Sequence, residues 1–396
     1  MFVKFLFNGM KRLFLLLIIL CGYSVYSQNG TYSILIKDID TQLPIENATL
    51  IILKTDQILL SNKDGIVAFQ LRGASSIEIS EPTYYSQNIR WALLEQNDFV
   101  IYLKSKSNKL DEIILSRESP QKTLQKIVAN SIQKLTVPAR IKVYVREFFK
   151  LNHQYAYYND GLVNFQFSKK QKKLITTLLV EQNRSYGLIE DNIAADLLGY
   201  NLNNLMENYC TFKYLEPILE TKMGNEYEFV IKAHKSNDKF YIMSIIPIDE
   251  SKGILDTFEI IYDPVKKIIN EYTIKIAFKK LENSIEKEKL NVKNITKSSV
   301  QVSYRLDDQG YYLLKANEEI AYDLTVRDKL KSVEVRNSFI TTDFNKEIFT
   351  YKENDVFKEK TLFNKNNKIL TNYWDLSGFI ATDEEKAIVN GLAYKM

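Results

Sequence analysis

Apolar residues recur at every second position in short runs along most of this chain. That is the period of a strand with one buried face. Between residues 31 and 104 the runs are 31–38, 46–56, 61–71, 75–85 and 97–104, with a turn at 40–45 and another over Asp64-Gly65. Short strands at regular spacing with turn residues between them predict a β-sandwich over residues 28–104. Beyond residue 139 the period continues at 140–149, 172–180, 225–233, 239–247, 256–264, 266–280, 298–306, 310–324, 331–341 and 346–352. Residues 154–168 read as a hairpin turning over Asn159-Asp160-Gly161, because Asp-Gly steps favour the turn that matches strand twist. Successive strands of this kind predict one large, curled antiparallel sheet within 139–396. Residues 282–297, rich in Lys, Glu and Asn, are expected as an exposed loop or a short polar excursion.

Few stretches carry the helical period. Ser119 and Pro120 open 120–135, where Leu124, Ile127, Val128, Ile132 and Leu135 share a face before Pro138. Ile193, Ala194, Leu197, Leu198, Leu202, Leu205 and Met206 form a helical patch over 193–206. Thr382 and Glu385 make a capping box ahead of Ile388, Val389 and Leu392 in a C-terminal helix. So few helices cover a large sheet poorly. Its concave face is therefore expected either to close on itself or to meet a partner or an apolar ligand. Residues 105–138 read as an edge strand at 108–117 followed by a linker helix between the sandwich and the large sheet.

The first 27 residues change the compartment. Lys4, Lys11 and Arg12 precede an apolar run from Leu13 to Leu20, and Val25 and Ser27 are small residues ahead of Gln28. This is the pattern of a secretory signal peptide over 1–27, and the run is shorter than the roughly 20 residues of a membrane-spanning helix. Lipid attachment at Cys21 would favour small residues before it, where Ile19 and Leu20 stand. The expected location is exported: periplasm, outer-membrane-associated or cell surface.

Charge and cysteine usage narrow the partners. The chain has 53 Lys and Arg against 49 Asp and Glu, and loss of Lys4, Lys11 and Arg12 leaves it nearly neutral. Such a balance predicts no strong attraction to nucleic acid. Without Cys21 the remaining Cys210 has no cysteine to pair with, so the fold rests on burial. Tyr (25) and Phe (21) are abundant, which suits broad sheet faces.

Candidate chemistry is sparse. His153 and His234 have no neighbouring ligand at metal-site spacing. Cys210 reads as a small core residue. Glu190, Asp191 and Asp196 read as a helix cap and a solvated face. No G-x-S-x-G elbow, phosphate loop or dinucleotide fingerprint is present. Tyr155 with Tyr157, and Phe165 with Phe167, stand at alternate positions that either line a groove or pack a sheet. The chain is read as non-enzymatic, with no catalytic, cofactor-binding or metal residue assigned and no cofactor expected.

Two resemblances add to this. The segments DIDTQLPIENATLIILKTD (38–56), SNKDGIVAFQL (61–71) and IEISEPTYYSQNI (77–89) resemble the carboxypeptidase-regulatory-like domain, a small transthyretin-like β-sandwich of exported proteins of Bacteroidota type. Thr83 stands where that family usually has Gly before the aromatic Tyr84, and Leu35 replaces an early Gly. The segment FEIIYDPVKKIINEYTI (258–274) is similar to a hairpin of periplasmic lipoprotein-carrier-like domains, which curl into a half-barrel. The first resemblance implies a cell-envelope interaction scaffold that meets an envelope protein or glycan, with peripheral outer-membrane association. The second implies the alternative, a periplasmic carrier of an apolar, lipid-like ligand.

Overall fold

Alternation in the first third of the chain builds two small sheets around one core. The computed structural model describes residues 30–55, 57–71, 73–81, 83–105, 113–115, 117–171, 173–187, 202–234, 239–248, 256–276, 285–288, 291–326, 329–358, 362 and 383–393. The leader 1–27, residues 193–201, most of 108–117, and Thr382 lie outside them. Strands β1 (Gly30–Asp38), β2 (Thr49–Ile52), β3 (Gln57–Leu60), β4 (Ile66–Leu71), β5 (Ile77–Ser80), β6 (Gln87–Ile89) and β7 (Val100–Leu103) form a sheet of order β4-β1-β7 and another of order β3-β2-β5-β6. Ile34, Ile36, Leu50, Ile52, Val67, Phe69, Ile79 and Leu103 fill the space between them. Strands β3 and β6 and the helix α1 (Trp91–Gln96) were not expected. Each is six residues or shorter, too little for a period to show. Trp91 closes the core edge-on to Tyr32, at 4.7 Å between ring centres.

The rest of the described chain is dominated by one antiparallel sheet. Its strands are β8 (Ala139–Leu151), β9 (Gln154–Lys170), β10 (Lys173–Gly187), β11 (Tyr227–Ala233), β12 (Tyr241–Pro247), β13 (Asp256–Asp263), β14 (Ile268–Ile276), β15 (Ile285–Glu288), β16 (Asn291–Leu306), β17 (Tyr311–Val326) and β18 (Lys329–Asn345). The order is β10-β9-β8-β18-β17-β16-β14-β13-β12-β11, with β15 paired to β16. Among the described residues β10 and β11 do not pair with each other, so the sheet is open. The fold is mainly β, as its patterning predicts.

Three expectations are corrected. Residues 159–161 are not a turn: β9 runs unbroken from Gln154 to Lys170. The β8–β9 turn is instead at Asn152-His153, both at positive φ (50° and 64°). Asn159 and Asp160 have no access to solvent, and side-chain partners on adjacent strands hold them in the sheet. Gly161 sits in a tight place, where a Cβ would lie 2.8 Å from Leu362 Cδ1 and 3.1 Å from the Gln182 carbonyl. Second, residues 285–288 pair with 291–294 as β15 against β16, so the loop alternative gives way to a polar excursion of paired strand. Third, 346–352 contains no strand. Phe349 is held instead by the Gln166 side chain, which bonds both its backbone N–H and its carbonyl.

Among the described residues, three helices cover one face of this sheet, and a fourth, at the C-terminal end, lies on the other. In α2 (Pro120–Lys134) the Ser119 side chain accepts from Lys122 N, and Leu124, Ile127 and Val128 are buried. Ile132, expected on that face, is 39% exposed, and Ser131 takes the buried position. Ser131 Oγ donates to Ile127 O (2.8 Å) and accepts from Ile269 N (3.0 Å), which ties α2 to β14. In α3 (Leu202–Thr211) Leu202, Leu205, Met206, Tyr209 and Cys210 turn inward at helical spacing. A short α4 (Glu216–Leu219) follows, and its end carbonyls accept from Gln121 and Gln125 of α2. One continuous core joins α2, α3, Val143, Val163, Phe165, Ile260, Tyr272, Val302 and Phe339. The helix-covered face is filled there. The helix α5 (Asp383–Ala393) packs Ile388 and Leu392 against Tyr158.

Candidate functional site

Strand register sorts the opposite face of the large sheet into rows. Facing residues on neighbouring strands lie about 4.7–4.9 Å apart in the hydrogen-bonding direction. The first row runs Gln182, Leu162, Tyr144, Ile340, Lys315, Ser303, Glu271. The second runs Arg184, Asp160, Arg146, Ser338, Asn317, Gln301. The third runs Tyr186, Tyr158, Phe148, Arg336, Glu319, Ser299. The N-terminal two-sheet unit is seated on the first row. Leu60 of β3 packs with Tyr144, Leu162 and Ile340, and Lys315 Nζ donates to Asn47 O at 3.2 Å.

Asp160 anchors the second row. Its Oδ1 accepts from Arg184 Nε at 2.7 Å and its Oδ2 from Arg184 Nη2 at 2.8 Å. The hydroxyls of Tyr144 (3.0 Å) and Tyr158 (2.9 Å) donate to the same carboxylate. The other face of these strands has a separate polar group. There Glu147 accepts from Tyr157 Oη at 3.2 Å and from Asn159 Nδ2 at 3.0 Å. Burial, then the Glu147 charge, pushes the Tyr157 hydroxyl well above the usual tyrosine range.

Two clefts open where the two-sheet unit meets the sheet. One, about 340 Å³, lies over the second and third rows and is lined by Arg146, Phe148, Lys297, Gln301, Asn317 and Arg336 on the floor and by Glu46, Asn47 and Lys63 on the wall. Arg336 lies over the Phe148 ring, with its guanidinium carbon 4.9 Å from the centroid. The other, about 350 Å³, is lined by Glu81, Tyr85, His234, Glu271, Ser303 and Lys315.

The second cleft has a charge pair with a predictable pH signature. Desolvation raises the Glu271 carboxyl above the usual glutamate value, opposed by Lys315. Desolvation lowers the Lys315 ammonium, opposed by Glu271 and Glu81. A raised carboxyl gives stability that is full below its unfolded value and is lost as pH rises through its folded value. A lowered ammonium gives stability that is present above its unfolded value and is lost as pH falls through its folded value. At neutral pH both charges therefore cost stability. The double substitution Glu271→Gln, Lys315→Met is expected to leave stability unchanged or raise it by about 1–4 kcal/mol at neutral pH. It should also flatten the change in stability above the ordinary glutamate range, where the raised Glu271 carboxyl ionises, and below the ordinary lysine range, where the lowered Lys315 amine protonates. Urea unfolding across the pH range between those two limits reads both effects. Lys315→Met alone lowers stability, because it strands the Glu271 charge.

The residues singled out in the sequence do not converge. Cys210 is buried in the helix-side core, and burial pushes its thiol well above the usual range. His153 is exposed in the β8–β9 turn. His234 borders the second cleft with its ring edge-on to Phe240. Glu190, Asp191 and Asp196 lie outside the described residues. Phe165 and Phe167 are core. A bulge after Phe149 moves the register so that Tyr157 faces Phe149 while Tyr155 faces Lys150. Tyr155 then joins Phe148 and Tyr158 on one face, and Tyr157 joins Phe149 and Tyr322 on the other. Among the described residues no three side chains are placed to hold a metal ion. Arg146, Lys315 and Arg336 have no role in the sequence reading, and Asp160 enters it only as a turn residue. Each sits at an alternate strand position, where a charge ordinarily faces water.

No family model matches the chain, and no curated protein matches it. Solved structures similar in part include the following three. A structure of lipid–protein interactions in lipovitellin is 9% identical with a TM-score of 0.25, over 63% of this chain and 30% of that one. The chain thus spans under a third of that protein's length. A LolA-superfamily protein from Nitrosomonas europaea is 12% identical with a TM-score of 0.18, over 57% of this chain and 97% of that one. A membrane-associated protein of unknown function from Bacteroides fragilis is 9% identical with a TM-score of 0.15, over 80% of this chain and 99% of that one. Likenesses this slight carry no argument about what the chain does.

Proposed function

We propose that this chain is an exported, non-enzymatic protein of the cell envelope that acts as a binding scaffold. Its N-terminal two-sheet unit is then a carboxypeptidase-regulatory-like sandwich of transthyretin type. Its partners are an envelope protein or a glycan, and it associates peripherally with the outer membrane. The observation that carries the reading is the contrast between the two faces of the large sheet. The helix-covered face has one continuous core, whereas the opposite face borders two polar clefts beside the seated sandwich. A carrier of apolar ligands needs a lined apolar hollow, and the cleft of that character beside Leu151, Tyr155, Ala156 and Leu392, about 550 Å³, lies apart from the seated sandwich.

The test is fractionation of cells expressing the full chain, with mass spectrometry of the recovered protein. The expected result is a mature chain beginning at Gln28, in the envelope fractions, with no lipid retained in native spectra. Cytoplasmic recovery with Met1 retained overturns export. A lipid retained at one copy per chain overturns the scaffold in favour of the carrier.

A further inference from the structure

We propose that one corner of the large sheet, made by the β13–β14 turn and the segment 113–115 on β11, is the surface by which the chain rests on an anionic lipid bilayer. The inference rests on the reading of the chain as a peripheral envelope protein and names the surface that makes the contact. Two features of the corner select a bilayer.

The first is exposure. Leu115 and Val265 are the most exposed large apolar side chains among the described residues, at 94% and 86%. Neither stands on a loose backbone. Ile114 N donates to Ile231 O at 2.9 Å, which pins the segment 113–115 to β11. Asp263 Oδ1 accepts from Val265 N at 2.9 Å and from Lys266 N at 2.8 Å, which sets the turn. A small cleft of about 250 Å³ joins the two places, with Leu115 on one wall and Pro264 and Lys267, on either side of Val265, on the other. Ligand pockets begin at roughly 300 Å³. The cleft therefore has room for the tip of an acyl chain and not for a whole lipid, so the contact is with a surface.

The second is charge. Lys122, Lys126 and Asn130 stand at helical spacing on α2. The Asn130 side chain donates to the carbonyls of Lys266 and Lys267, at 2.9 Å each, so this stripe runs up to the turn. Arg117, two residues beyond Leu115, is exposed beside them. The carboxylates of these described segments are already engaged: Glu118 pairs with Lys126, and Asp263 holds the turn backbone. Among the described residues, the side chains of Arg117, Lys122, Lys266 and Lys267 have no hydrogen-bond or ion-pair partner. Apolar tips among unpaired cations complement a surface that is negative at its face and apolar beneath. Lipid headgroups need no fixed register to meet such cations. The chain as a whole is nearly neutral, so the attraction is local and orients the molecule with this corner down.

The test is co-sedimentation of the full mature chain with vesicles of phosphatidylcholine alone or with about 30% phosphatidylglycerol, at about 50 and about 500 mM salt. The expected result is saturable binding to the anionic vesicles, at least about 10-fold weaker on neutral vesicles and in high salt. Lys266→Gln with Lys267→Gln is expected to weaken binding by about 30-fold. Val265→Asp is expected to weaken it by about 10-fold or more without altering the circular dichroism spectrum. Leu330→Asp, also exposed but at the opposite end of the sheet, is expected to leave binding unchanged. Binding indifferent to lipid charge, undiminished in Val265→Asp, or weakened as much by Leu330→Asp overturns the inference. An envelope-located chain that ignores both kinds of vesicle sinks the bilayer contact, leaves a protein as the occupant of this corner, and spares the scaffold. A cytoplasmic chain that binds the anionic vesicles through Val265 sinks the envelope reading and spares the surface.

Discussion

Asp160→Ala is expected to cost about 3–5 kcal/mol of stability, the penalty for removing one partner of a buried, hydrogen-bonded ion pair. The carboxylate has no access to solvent. It accepts two bonds from Arg184 and one each from Tyr144 and Tyr158. Removing it leaves the Arg184 guanidinium and two hydroxyls without their acceptor on a face the N-terminal unit partly covers. Asp160→Asn keeps an acceptor for the hydroxyls but loses the charge opposite Arg184, so its loss should be smaller. Urea unfolding of the three chains side by side gives the ranking. An Asp160→Ala chain as stable as the parent would mean that Arg184 finds an equal partner elsewhere.

Phe339→Ala is expected to cost a similar amount, about 3–5 kcal/mol, through lost burial and the cavity left behind. Phe339 is fully buried on β18, with its ring edge-on to Tyr209 of α3 at 5.6 Å between centres. It thus fixes the helix layer to the sheet. The core it belongs to is distinct from the one inside the N-terminal unit. Heating the variant should lower the midpoint for the large sheet, and Trp91 fluorescence, read in a Trp374→Phe background so that it reports the N-terminal unit alone, should shift less. A single shared transition that moves as one would show that the contacts of Leu60 and Lys315 couple the two cores strongly.

Strand content was legible from the sequence because the period-two pattern of segments such as 140–149 and 331–341 is local. So was α2, whose Ser119-Pro120 start and Leu124, Ile127 and Val128 stripe lie within one stretch. What misled was Asn159-Asp160-Gly161, whose residue types favour a turn. Their fate is decided by Arg184, 24 positions away, and by Glu147 and Tyr144 on the preceding strand. No local rule sees a partner that only register brings near. The clefts were illegible for the same reason. Arg146, Asn317 and Arg336 become neighbours only after three strands align, and Lys63 joins them only after a separate unit docks. Tyr155 and Tyr157 show the finer limit, since one bulge sends alternate residues to opposite faces.

The two outermost strands of the large sheet are each met by a stray piece of the same chain. On β11, Ile114 N donates to Ile231 O at 2.9 Å and Ile113 bridges Lys232. On β10, Phe357 N donates to Leu178 O at 2.8 Å and Val356 bridges Leu179. An open sheet edge is a template on which foreign strands and identical copies can grow. These short segments act as built-in stoppers, occupying part of each row of backbone groups that a growing β-fibre would recruit. A fragment cut to begin after residue 117 or to end before residue 356 would keep every strand of the large sheet and lose one stopper, and would be the form of this protein most prone to self-assembly.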